Sequence, residues 1–157
     1  MAMERLDRTD RAIVGALQEN ARLPNKELAA LVGIAPSTCL ERVRALVARG
    51  VLRGFHAQVD LPALGRGVEA IHAVRIRPHS RRHVDAFWEY VLELPEVIEV
   101  FHITGAHDFL VHVGVADTEA LRSFVLDRLT ARPEVAHVET HLIFGQARRS
   151  VLEPLYD

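Results

Sequence analysis

Apolar positions recur at helical spacing through residues 25–50, NKELAALVGIAPSTCLERVRALVARG, and the pattern is interrupted once, at Gly33. Leu28, Ala29, Leu31 and Val32 form a first apolar stripe. Gly33 supplies the left-handed residue on which a helix stops abruptly, and Ile34 is placed to plug the corner. Pro36 suits the first turn of a second helix, where its missing N–H costs nothing. Leu40, Val43, Leu46 and Val47 give that helix an apolar face. The opposite face carries Ser37, Thr38, Arg42 and Arg49. Two amphipathic helices about a Gly turn make a helix-turn-helix. Its polar face has the groups a major-groove reader uses: guanidiniums for guanine edges or phosphates, hydroxyls for phosphate oxygens. The alternative on the same residues is a small helical bundle with a solvated charged face.

Ahead of this unit, Asp7 is placed to cap a helix running to about Asn20, with Ile13, Val14 and Leu17 facing inward. Behind it, Gly50 ends the second motif helix. VLRGFHAQV, residues 51–59, then reads as a strand with a turn or bulge at Gly54, in the manner of the wing of a winged helix. The segment DLPALGRG gathers Pro62, Gly65 and Gly67, which is linker chemistry. This organisation predicts a DNA-binding domain over 1–59, a linker over 60–67 and a second domain over 68–157.

The second domain contains a repeat. Phe87 heads a helical stretch followed by Pro95-Glu96-Val97 and a strand ending at Gly105. Phe124 heads another, followed by Pro133-Glu134-Val135 and a strand ending near Gly145, an offset of 38 residues. Further strands precede each copy, EAIHAVRIR at 69–77 and FLVHVGVA at 109–116. The order βαββαβ is that of a ferredoxin-like sandwich, so the predicted fold class is α+β. Val84, Phe87, Trp88, Val91 and Leu92 form one helical stripe, and Leu121, Phe124, Val125 and Leu129 form another. Both helices can cover one sheet face. The strands do not alternate cleanly: Val97, Phe101 and Ile103 on one parity and Ile98 and Val100 on the other are all apolar. A sheet apolar on both faces needs a second cover, and another subunit is the natural one.

Charge sharpens the division. Residues 1–54 hold nine Arg/Lys against six Asp/Glu, and the remainder hold ten against fifteen, so a basic helical part precedes an acidic one. The single cysteine, Cys39, forms no intrachain disulfide and fits a small buried hydrophobe better than a reactive thiol. The charged N-terminus and the lack of any run near the ~18 apolar residues of a membrane span point to a cytoplasmic protein with no membrane partner. Nine histidines invite a metal reading. His137 and His141, four apart on a strand, stand about 13 Å apart at ~3.3 Å per residue, and no HExxH or CxxC accompanies them. No metal site, cofactor or catalytic residue is therefore expected.

With both halves in view, PSTCLERVRALVARGVLRGF resembles the recognition helix and wing of the Lrp/AsnC (feast/famine) regulators. ITGAHDFLVHV resembles the Gly-x-x-Asp hairpin of their effector domain. The resemblance implies a winged helix-turn-helix joined to a ferredoxin-like effector-binding domain. It also implies double-stranded DNA as partner, homodimers that often assemble into octamers, and an amino acid or related metabolite as effector. The chain departs from the family at two positions. Ala35 stands where the family often has Ser, removing an N-cap acceptor at a cost of about 1 kcal/mol and leaving Ser37 or Thr38 as substitutes. His107 stands where many relatives carry an aromatic residue.

The expected DNA-contacting residues are Asn25, Lys26, Ser37, Thr38, Arg42, Arg44, Arg49 and Arg53. The expected effector site is the hairpin Thr104, Gly105, Ala106, His107 and Asp108: amides of the Gly turn suit a carboxylate and Asp108 suits an ammonium. The resemblance adds Thr140 and Leu142 from the last strand. Read without it, Gly105 and Asp108 simply build a hairpin. The predicted function is a sequence-specific transcriptional regulator. Its rivals are an enzyme resembling the siroheme decarboxylases of the same architecture, and a ligand-independent architectural DNA-binding protein.

Overall fold

The computed structural model describes residues 5–156, so residues 1–4 and 157 of the expected domains lie outside it. The chain divides into a helical unit, residues 1–58 with 147–157, and a sheet unit, residues 59–146. Grouping 147–157 with the helices differs from the sequence reading, which placed them in the second domain.

In the helical unit, α1 spans Arg8–Glu19, α2 Asn25–Val32 and α3 Pro36–Ala48. Asp7 caps α1 by accepting from the Asp10 amide at 2.7 Å. Gly33 turns the chain between α2 and α3 at φ 74°, a left-handed value that any side chain would strain. Ile13, Leu17, Leu28, Ala29, Cys39 and Leu46 close the core, with Val14, Val32, Ile34 and Val43 against it. Three expected core residues lie outside it: Leu31 is 68% exposed, Leu40 39% and Val47 46%. At 100° per residue the buried stripe of α2 runs through Leu28, Ala29 and Val32, and that of α3 through Cys39, Val43 and Leu46. The other three lie near the stripe edges. Burial pushes the Cys39 thiol up, consistent with a packing role.

No strand forms over residues 51–59. An extended segment becomes a strand only when a neighbour takes its N–H and C=O groups, and no described residue pairs with it in that way. Phe55 and Val59 are left half-exposed. The final residues instead return to α1: Gln18 exchanges two hydrogen bonds with the Leu152 backbone, at 2.9 and 3.1 Å, and the Tyr156 hydroxyl accepts from the Leu6 amide.

In the sheet unit, β1 is Val68–Ile76, α4 Arg81–Leu92, β2 Val97–His102, β3 Phe109–Val115 and β4 Val135–Leu142. Helix α5 begins at Thr118–Ser123 and widens to π geometry over Phe124–Leu129. The sheet is antiparallel in the order β2-β3-β1-β4, the ferredoxin-like arrangement expected. Val84, Phe87 and Val91 of α4 and Leu121, Phe124 and Leu129 of α5 pack on Ala70, Val74, Phe109, Val111 and Val113. Trp88 and Leu92, expected in the stripe, are 37% and 51% exposed.

A bulge between Val97 and Glu99 shifts the register of β2 on β3. It brings Val97 and Val100 together on the helix side and turns Ile98 and Phe101 outward, so simple parity mis-sorted this strand. The face away from the helices is accordingly mixed. Ile98, Phe101, Leu110 and Ile71 supply apolar area across β2, β3 and β1, with His112 of β3 among them, whereas His137, Glu139 and His141 make it polar along β4.

Candidate DNA-contact and ligand sites

Helix α3 presents Ser37, Thr38, Glu41 and Arg44 to solvent. Ala35 provides no side-chain cap and neither Ser37 nor Thr38 replaces it, so the first amides of α3 remain open toward the same side as those hydroxyls. Arg44, Lys26 and Arg53 are exposed. The other expected contacts are engaged inside the unit. The Arg42 guanidinium donates to Asp7 Oδ2 at 2.7 Å and Asp10 Oδ1 at 2.8 Å, and Arg49 stands 3.5 Å from Asp10 Oδ2. Asp10 is buried, so the pairs tie α3 to α1. The Asp10 amide and then Arg42 hold the Asp7 carboxyl below its usual value. Periodicity put Arg42 on the polar face. The acidic residues at the start of α1 hold it there, so its guanidinium is engaged with Asp7 and Asp10 rather than projecting freely from that face. Asn25 donates from Nδ2 to the Pro36 carbonyl at 2.8 Å, clamping the turn.

The hairpin of the sheet unit splits into two surfaces. Thr104, Gly105 and Asp108 line a depression of about 530 Å³ together with Arg77, His79, His102 and Ile103. The Asp108 carboxylate is mostly buried: Oδ2 accepts from the Ile76 amide at 2.6 Å, Oδ1 meets His79 Nδ1 at 2.9 Å, and Arg77 stands 3.8 Å away. It therefore pins the end of β1 while facing the depression. Arg77, His79 and His102 were missed by the sequence reading. Their only signal was the cationic Arg77-Pro78-His79 run directly after a strand.

The remaining expected residues lie elsewhere. The Ala106 carbonyl accepts from Arg75 Nε at 2.8 Å, and His107 turns onto the open sheet face. Thr140 pairs with His72 and Leu142 with Ala70 in the ladder, which puts both on the helix side and away from the depression. The Thr140 hydroxyl lies 3.0 Å from His72 Nδ1. His72 is fully buried against the Phe124 ring, and burial followed by the charge of His141 pulls its pKa down to about 4.

On the open face, His107 Nε2 and His137 Nε2 each stand 3.3 Å from Glu139 Oε1. Partial burial raises the Glu139 carboxyl, but the two imidazoles more than offset this and leave it below its usual value. No helix among the described residues is long and apolar enough to cross a membrane.

Residues 6–47 match the AsnC-type helix-turn-helix domain and residues 69–152 the Lrp/AsnC ligand binding domain. The HTH-type transcriptional regulator AldR of Mycolicibacterium smegmatis is 43% identical over 91% of this chain and 84% of its own length. The transcriptional regulator AzlB of Bacillus subtilis is 34% identical over 96% of both. A transcriptional regulator of Neisseria meningitidis, solved as a complex with L-Met, superimposes with a TM-score of 0.87 at 32% identity, covering 96% of this chain and 97% of that one.

Proposed function

Because this chain belongs to the Lrp/AsnC family of helix-turn-helix transcriptional regulators, we propose that it reads operator DNA with the outer face of α3 and adjusts that binding when an amino-acid-like effector occupies the depression beside Asp108. The observation that carries the first half is the open start of α3. Uncapped amides, the positive end of the helix and the Ser37 and Thr38 hydroxyls converge where a phosphate would lie, with Arg44 about two turns along for a base edge or a second phosphate. Asn25 and Gly33 fix the angle of presentation, and the Arg42 pairs brace α3 from behind.

For the effector, Arg77 supplies a cation for a carboxylate and Asp108 an anion for an ammonium across one polar depression. The L-Met bound to the Neisseria relative supports this chemical class. A second copy of the chain covers the apolar part of the open sheet face and gives residues 51–59 a neighbour. Pairing about a two-fold axis calls for half-sites spaced by ~10 bp or a multiple. Effector bound between such copies alters DNA affinity through its differential affinity for the two arrangements. This reading requires no catalytic step and places the protein at the chromosome, in the cytoplasm.

On an operator obtained by selection from random sequence, Arg44→Ala is expected to weaken binding about tenfold with unchanged thermal stability. Arg42→Ala is expected to lower the melting temperature of the helical unit, because Asp10 loses its principal partner in a buried setting. Arg44→Ala binding as tightly as wild type, with assembly intact, rejects this face as the reader.

A further inference from the structure

Three donor groups that are far apart in the sequence meet on the open face of the sheet. His137 and Glu139 are two apart on β4 and so share a face, opposite Arg75 and Ala73 of β1. Ala73 contributes only a methyl group, which leaves the Glu139 carboxylate room to lean across the sheet. His107 arrives from the hairpin, whose approach is fixed by the bond from Arg75 Nε to the preceding carbonyl, that of Ala106. One donor atom from each of the three lies within 4.8 Å of the other two.

We propose that His107, His137 and Glu139 form a binding site for a divalent transition-metal ion of the zinc type. Ligand atoms ~2.0–2.2 Å from a tetrahedral ion stand roughly 3.3–3.6 Å from one another. Both imidazole nitrogens already stand 3.3 Å from Glu139 Oε1, so an ion is accommodated by small rotations without moving the backbone. Two imidazoles and one carboxylate are a donor set for borderline divalent ions rather than for calcium or magnesium, which take all-oxygen shells. A fourth position remains for water, and the His141 ring stands 3.9 Å from the other carboxylate oxygen.

The competing account is an ion-pair cluster in which the imidazoles serve only Glu139. That account gives His107 Nε2, which is sealed from solvent, only the Glu139 oxygen 3.3 Å away, at an angle poor for a hydrogen bond. A metal ion satisfies that nitrogen and draws the two rings, already stacked with centroids 6.4 Å apart, onto one centre.

The full chain, stripped with chelator and titrated with Zn²⁺ in a calorimeter, is expected to bind one ion per chain. Co²⁺ is expected to give the visible absorption of a four-coordinate site with imidazole donors. His137→Ala and Glu139→Gln alter exposed side chains, so the fold is retained, and each is expected to weaken Zn²⁺ binding at least tenfold and abolish the cobalt spectrum. His56→Ala, in the helical unit, is expected to leave both unchanged. Absence of saturable Zn²⁺ binding, or equal affinity in wild type, His137→Ala and Glu139→Gln, overturns the site. Loss of binding in His56→Ala to the same extent overturns it as well, by showing scattered histidine binding.

Discussion

Acidification from pH 6.5 to pH 4 is expected to remove about 3 kcal/mol from the stability of the sheet unit through His72 alone. The ring is sealed between β1 and α5, bonded on one nitrogen to Thr140 and bare on the other, with a pKa of about 4 against an ordinary 6.5. Since the folded-state value is the lower one, the unfolded chain takes up a proton first as pH falls through 6.5. The native state takes none until pH approaches 4. Stability is therefore full above pH 6.5, declines by about 1.4 kcal/mol per pH unit within that window and loses nothing further from this group below it. Urea denaturation of wild type and His72→Leu at half-unit steps from pH 7.5 to 4 isolates the effect from that of other titrating groups. Leu keeps the apolar volume and cannot protonate, so the difference between the two curves should shift by about 3 kcal/mol in favour of Leu between pH 6.5 and pH 4, on top of a constant offset for the lost Thr140 bond. Parallel curves would show that His72 takes up its proton equally in both states.

Asp108→Ala is expected to destabilise the sheet unit by about 2–3 kcal/mol, because it strands the buried Ile76 amide that now donates at 2.6 Å. For a unit of this size that lowers the melting temperature by roughly 10–15 °C. Asp108→Asn keeps an acceptor for that amide and loses only the charge facing His79 and Arg77, so a cost of about 1 kcal/mol is expected. The two variants separate scaffold from ligand. A cognate amino acid at about 100 times its dissociation constant adds ~2.7 kcal/mol to wild type, and Asp108→Asn should lose that increment while still folding. An amino acid that stabilises wild type and Asp108→Asn equally would leave Asp108 as a hinge pin of the hairpin and move the ammonium elsewhere.

The expected sites were legible in proportion to how local they were. Gly33, Asp7 and the start of α3 act within a few residues of their own positions, and spacing located them. The hairpin at Gly105 was equally plain. What spacing could not decide was which side of the hairpin each residue serves. Thr104, Gly105 and Asp108 turn to the depression, while Ala106 and His107 turn to the open face. The partners of the first group, Arg77, His79 and His102, come from other elements. The histidine cluster was invisible for the same reason: a search by sequence interval tests His137 against His141, whereas the convergent donor is His107 on a different strand connection.

Periodicity and turn chemistry by themselves determined a three-helix basic unit, a βαββαβ acidic unit and the two helical stripes that cover one sheet face. Each follows from interactions repeated every two or every three to four residues. Only the tertiary structure decided the assignments that depend on a neighbour remote in sequence. Asp7 and Asp10 engage Arg42 in ion pairs with the start of α1, and the bulge at Val97 exchanges the faces of β2. The lack of ladder pairing from any described residue keeps residues 51–59 from forming a strand, and α1 draws the C-terminal residues back onto the helical unit. Ion pairs, register and strand pairing are set by which groups meet in space, and a one-dimensional pattern carries no record of those meetings.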